Sequence, residues 1–290
     1  MATADESPAG KRTSGRLGLA AWACYDWANS SFATVVQTFL FATYFSSQVA
    51  ESPEDGTVQW GLALSGAALC VAISGPLLGA LVDQLGRRKP WIAGFSGLCI
   101  AATAGLWFVQ PHPSYAWLAL GLVAVGTVGT EVAMVFYNAM LPRIAPKDQI
   151  GRWSGWGWGM GYAGGLVCLA VCLFAFVEGP LEFERKSPTN IGGAMLFVAG
   201  WFLVFSLPLM FFAPDAASTG KRVRTAWRDA LNQLVESVRQ VGRHRMIVRF
   251  LIVHMIYTDG LATLFTFSGI YAAGTFGMNE QQILVFGIAI

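Results

Sequence analysis

The stretch WGLALSGAALCVAISGPLLGALVDQLGRRKPWIAGFSGLCIAATAG, residues 60–105, decides the fold. Two apolar runs flank a short loop that carries Arg87, Arg88 and Lys89. Each run approaches the ~20 residues that a helix needs to cross a hydrocarbon core of ~30 Å, and a cluster of cations stays in water on the cytoplasmic side of a bilayer. The pattern therefore predicts a membrane hairpin, with helices over about 58–82 and 90–110. It recurs on either side at about 18–46, 114–141, 153–177, 191–212 and 249–275, which makes seven spans. A further apolar run begins at Gln281 and ends in ILVFGIAI. At ~1.5 Å of rise per residue, those last residues cover only ~12 Å, so the expectation is an all-α polytopic membrane protein truncated within an eighth helix.

Composition agrees with that reading. Hydrophobic residues make up 54% of the chain, charged residues 12%, and the mean hydropathy is +0.51, too apolar for a water-soluble protein of this length. If the N-terminus is cytoplasmic, 17 of the 19 Lys and Arg residues fall on the cytoplasmic side. They lie in the tail, the 83–90 and 142–152 loops and the 213–249 region, and only Arg185 and Lys186 fall outside. The positive-inside rule then fixes a cytoplasmic N-terminus. The first 16 residues have no apolar core and lead straight into a span, so no cleaved signal peptide is expected. A net charge of +2 gives no sign of a nucleic-acid partner.

Catalytic and metal signatures do not occur in the sequence. Cys24, Cys70, Cys99, Cys168 and Cys172 all fall within spans, with no CxxC or Cys/His cluster, and HExxH, GxSxG and GxxxxGK[ST] do not occur. The expectation is a protein with no cofactor, no metal and no enzymatic activity.

The organisation expected is a tail over 1–17, a six-helix bundle over 18–212, a cytoplasmic linker over 213–248 and the start of a second bundle over 249–290. In the linker, TAWRDALNQLVESVRQVG places Trp227, Leu231, Leu234, Val238 and Val241 at helical spacing, with Arg228, Asp229, Asn232, Glu236 and Arg239 on other faces. This describes an amphipathic helix along the membrane surface or a plain linker between bundles. In GRWSGWGWGMGYAGG, Gly151, Gly155 and Gly159 form one stripe and Gly157, Gly161 and Gly165 another. The two lie on nearly opposite faces, so this helix can approach neighbours closely on both sides.

The spans contain three acids. Asp26, Asn29, Ser30 and Gln37 share one stripe of the first helix. Glu131 shares a face with Thr127 and Asn138 on the fourth, and Asp259 shares one with Thr263 and Thr266 on the seventh. A charge facing lipid costs about 2.5–3.5 kcal/mol, so these stripes should face the bundle interior or a watery cavity. An interhelical hydrogen bond averages only about 0.6 kcal/mol, a small return for a buried carboxylate. Binding of a substrate amine or of a proton is the functional reading of Asp26; a structural hydrogen bond is the alternative. Tyr137 and Asn138 are further candidates for solute binding, although Pro142 follows closely and the segment could be a simple helix end.

The loop GALVDQLGRRK, residues 79–89, resembles the signature G-x-L-x-D-R-x-G-R-[RK] between the second and third helices of the major facilitator superfamily, with Gln84 where the family usually has Arg. YDWANSSF (25–32) resembles the first-helix signature of the branch that holds the autophagy-related vacuolar amino-acid effluxers and their bacterial relatives. FYNAMLP (136–142), the glycine-rich run at 151–165 and YTDGLATL (257–264) are parallel to it. The likeness runs from about Ala20 to the end. It implies a twelve-helix transporter in two six-helix halves, with a cavity lined by the first, fourth and seventh helices. It also implies a cytoplasmic latch at Gly79, Asp83, Gly86, Arg87 and Arg88, in which Asp83 pairs with a neighbouring helix in one conformation only. The antiporter motif of the fifth helix is not matched, so no transport direction follows.

The function expected is alternating-access transport of a small polar solute across a lipid bilayer, with protons as a coupling ion from the reading of Asp26, and with amino acids as the solute and a bacterial inner (plasma) membrane as the setting suggested by the resemblance. The alternative is a non-transporting sensor or a transporter remnant.

Overall fold

A computed structural model describes residues 15–177, 188–221 and 223–289. Lys11 and Arg12 of the tail, and Arg185 and Lys186 of the expected outer loop, lie outside the described residues. The described residues are helical without a strand, so the all-α class read from the sequence stands. In chain order the helices are α1 (Arg16–Ser31), α2 (Pro53–Leu85), α3 (Lys89–Gly105), α4 (Ala116–Ile144), α5 (Ile150–Cys172), α6 (Pro188–Phe212), α7 (Val223–Arg243), α8 (Arg245–Phe276) and α9 (Glu280–Ala289).

Their ends follow local chemistry. The Ser52 hydroxyl accepts the Asp55 N–H at 3.1 Å and Pro53 opens α2, as expected where free amide donors need a cap and a missing N–H does no harm. At the other end of α2, Gly86 takes φ +91° and returns its N–H to the Val82 carbonyl. Only glycine adopts that turn without steric cost. The next helix starts three residues later, which makes the tight cytoplasmic loop.

Among the described residues, six helices are long and apolar enough to cross a membrane: Pro53–Leu85, Lys89–Phe108, Pro113–Ile144, Lys147–Val177, Asn190–Phe212 and Arg245–Phe276. The first expected span is helical too. From α1 it continues through a π-helical segment (Phe32–Phe39), an α-helical turn (Leu40–Tyr44) and a second π-helical segment (Phe45–Val49). It is absent from the six because Asp26, Asn29, Ser30, Ser31 and Gln37 dilute its hydropathy. Protein rather than lipid covers much of this helix: Tyr25, Phe32, Val35, Val36, Phe41 and Phe45 are fully buried. It is the centre of the core, and a helix wrapped by neighbours need not be apolar all round.

The packing is interlocked. α1 lies against α5 and α6, α4 lies against α2 and α3, and α3 meets α6. The first helix of each triplet thus packs on the second and third helices of the other. Outward-facing side chains are apolar, with Leu62, Leu69 and Ile73 along one face of α2 and Trp107, Phe108 and Trp117 at one end of the bundle. That distribution suits hydrocarbon bounded by an aromatic belt. The protein is an integral, multi-pass membrane protein.

α8 is different. Its C-terminal part packs against the continuation of α1, where a methyl group on Gly269 would meet Thr43 Oγ1 at 3.3 Å, and Phe267 reaches Gly61 of α2. Residues 251–265 are exposed.

Candidate functional site

The polar row of α1 lies between α5 on one side and α4 on the other. α5 meets it with glycines: a methyl group on Gly161 would stand 2.8 Å from Ser30 Oγ and 3.2 Å from Asp26 Cγ, and one on Gly164 would stand 2.7 Å from the Trp27 Cα. So the stripe Gly157–Gly161–Gly165 does bring two helices together, as its spacing suggests. The other stripe does not. Gly151, Gly155 and Gly159 have nothing within 4 Å of an added methyl, and Gly155 and Gly159 line an open hollow of about 520 Å³ with Arg152, Trp156, Met160 and Ala163.

α4 meets the row with hydroxyls. Thr130 donates to the buried Asn29 side chain, and Gln37 donates to Thr127 Oγ1 at 2.7 Å while that hydroxyl donates to the Val123 carbonyl at 2.8 Å. Further toward the loop at Lys147, the Trp22 indole N–H donates to the Tyr137 carbonyl at 3.1 Å, and the two rings stack with centroids 4.4 Å apart. Tyr25 sits 4.9 Å from the same ring and shares a 2.7 Å hydrogen bond with Ser96 on α3. The Tyr137 hydroxyl is buried and has no hydrogen-bond partner among the described residues.

Asn29, Gln37 and Tyr137 are therefore joined across the α1–α4 contact. Asp26 is half-buried on the same row, and Glu131 and Asn138 stand exposed, seven residues apart on one face of α4. No ion pair among the described residues involves Asp26 or Glu131. Asp259 is not brought to this cluster. It lies in the uncovered part of α8, where Thr263 bonds only to its backbone carbonyl at 2.9 Å. Thr130 and Ser96 were missed from sequence. Thr130 is next to Glu131 but on a different face of α4, and nothing in the spacing ties Ser96 to Tyr25.

The second cluster is at the cytoplasmic loop. Asp83 forms an ion pair with Arg88 and lies 3.8 Å from Arg143 at the end of α4. Arg87 is exposed, and a methyl group on Gly79 would stand 3.6 Å from the Val135 side chain, an ordinary contact. The segment after α6 wraps round this loop. The Asp215 carboxylate accepts the backbone N–H groups of Arg88 at 2.9 Å and Lys89 at 3.3 Å, capping α3 from a distance in sequence. The Thr219 N–H donates to the Leu85 carbonyl at 3.1 Å and its hydroxyl to the Gln84 carbonyl at 2.6 Å. The Gln84 side chain accepts from Lys221 Nζ at 2.6 Å and donates to Gln233 Oε1 at 2.7 Å. Below it, Leu81 packs on Ala226 and Ala230 of α7.

Comparison with known families fits this arrangement. Residues 20–151 match the family model described as MFS/sugar transport protein, and residues 148–290 match the one described as vacuole effluxer Atg22 like. The chain belongs to the major facilitator superfamily, in its Atg22-like branch. Among curated relatives of this superfamily member is the uncharacterized MFS-type transporter YxiO of Bacillus subtilis (strain 168), 28% identical over 273 residues, covering 91% of this chain and 62% of that protein. Another is autophagy-related protein 22 of Kluyveromyces lactis, 27% identical over 207 residues, covering 63% of this chain and 40% of that one. This facilitator chain thus spans less than two thirds of the length of either relative.

Proposed function

We propose that this protein takes part in secondary active transport of a small polar solute by alternating access, as one six-helix half (α1–α6), a linker containing α7 and the start of a second half at α8. The observation that carries the reading is the polar row on α1 and its π-helical continuation. Its amides are held by hydroxyls from α4, while the Asp26 carboxylate beside it has no cation partner among the described residues. Membrane-embedded carboxylates are rare because of their insertion cost, and they mark substrate and proton paths where they occur. Asp26 would hold a substrate ammonium or a coupling proton, Glu131 and Asn138 would offer polar contacts on the open face of α4, and Asn29, Gln37 and Tyr137 would set the spacing of the two helices. Amino acids are the proposed solutes, in keeping with the Atg22-like branch, and protons are the proposed coupling ion, on the strength of the Asp26 carboxylate. Transport chemistry needs no cofactor.

The test is Asp26→Asn, which keeps the shape and loses the charge. Vesicles reconstituted with either protein are offered radiolabelled amino acids under an imposed proton gradient at a series of external pH values. The unsubstituted protein should accumulate solute with a pH dependence, and the variant should insert equally well but lose accumulation or its pH dependence. An identical pH profile and apparent affinity in the two would reduce Asp26 to a structural hydrogen bond.

A further inference from the structure

The docking of α7 onto α2 determines which way its remaining faces point. α7 has 21 residues, about 31 Å at ~1.5 Å per residue. Ala226 and Ala230 are buried against Leu81, and Gln233 on the same side bonds to Gln84. At ~100° per residue, the row Arg224, Arg228, Leu231, Val235 and Arg239 falls on the opposite side. All five are exposed, with Leu231 at 47% and Val235 at 53%. Among the described residues, no ion pair involves any of the three arginines.

The two flanks differ in character. Trp227 and Leu234 are half-buried on one flank, and Asp229, Asn232 and Glu236 lie on the other. The flanking acids have their own partners: Asp229 accepts from Lys221 at 2.9 Å and Glu236 from Gln240 at 3.1 Å. The helix is thus three-sided, with a docked side, a polar side, and an uncovered sector in which aliphatic side chains alternate with unpaired guanidinium groups. It runs beside the last turn of α2, and the end of a spanning helix is where hydrocarbon gives way to headgroups.

We infer that α7 is an in-plane lipid anchor, with Leu231 and Val235 dipping into the leaflet and Arg224, Arg228 and Arg239 gripping anionic phosphodiester headgroups. Charge complementarity selects this occupant. Leucine and valine alone would suit any apolar cover, but three unpaired arginines interleaved with them need anions at the same depth, and an anionic leaflet offers both together. Arginine stems lie along apolar surface while their heads reach phosphate. The strap at Gln84 holds the rotation of the helix, so the lipid-facing sector stays turned away from the bundle.

An environment-sensitive fluorescent amino acid placed singly at 231, 232 or 235 of the chain tests this in nanodiscs. Discs containing phosphatidylglycerol should give blue-shifted emission at 231 and 235 but not at 232. The shift should shrink in phosphatidylcholine discs with the arginines intact, and in anionic discs when Arg224, Arg228 and Arg239 are all changed to Gln. Emission at 231 and 235 as red as at 232 in anionic discs would overturn the assignment. So would a blue shift indifferent to both lipid charge and the arginines, which would hand the sector to another protein segment.

Discussion

At Gly164 a single hydrogen atom in place of a side chain decides how close two helices come. The Trp27 backbone occupies the space where a Cβ would stand, at 2.7 Å from its Cα, and backbone cannot rotate aside as a side-chain tip can. Gly164→Ala must therefore push α1 off α5, at a cost of about 1–3 kcal/mol typical of overpacking. Gly159→Ala, five residues earlier, has open space around it and gains up to ~1 kcal/mol of helix propensity. Thermal unfolding in a fixed detergent should give a lower midpoint for Gly164→Ala and an unchanged or higher one for Gly159→Ala. Equal midpoints would mean that the α1–α5 contact does not depend on the glycine. The Gly161 face likewise leaves room for the Asp26 carboxylate, and a larger residue at 161 would displace Ser30 and Asp26 together.

At the scale of elements, Gln84 explains why the loop departs from the superfamily signature. A glutamine can accept from Lys221 and donate to Gln233 at once, as it does here. An arginine has donors only and would set two cations face to face. Gln84→Arg, although it restores the family residue, should loosen α7 from α2. Exposed polar pairs are worth roughly 0.2–1 kcal/mol, so amide exchange over 226–233 should rise up to about fivefold. Gln84→Glu keeps the acceptor, and Gln233 can turn its amide to donate, so exchange there should stay close to that of the unsubstituted protein. Faster exchange in the glutamate variant than in the arginine one would show that Lys221 does not hold α7 through residue 84. Spans were legible because apolar runs of bilayer length have few other readings. Their ends were not, since α2 extends from 58–82 to Pro53–Leu85 through the Ser52 cap and the Gly86 turn, neither of which is apolar. The polar rows of α1 and α4 were visible in the 3.6-residue period, but Asp215, Lys221 and Ser96 come from distant segments that no spacing rule connects to their partners. Asp259 shared its helix face with threonines as expected, yet a periodic face says nothing about which neighbour covers it.

The whole molecule is oriented by its cations. The α2–α3 loop, the α4–α5 loop and the segment from α6 to α8 lie at one end of the alternating spans, and all but two of the chain's 19 Lys and Arg residues fall in these, in the N-terminal tail, or within about one turn of them at the helix ends. The other end carries Glu54 and Asp55 at the start of α2 and His112 before α4. Arginine and lysine resist translocation against the membrane potential, so the basic end should be cytoplasmic. The α7 anchor requires the same orientation, because anionic lipid and a basic helix must share a leaflet. Single cysteines at Glu54, His112, Arg87 and Arg228, all exposed positions, report this in intact cells treated with a membrane-impermeant maleimide, with the unsubstituted protein as background. Positions 54 and 112 should label in intact cells, and 87 and 228 only after the cells are opened. The reverse pattern would invert the protein and place α7 on the wrong leaflet for its arginines, and labelling of both sets in intact cells would break the alternation of spans on which the bundle depends.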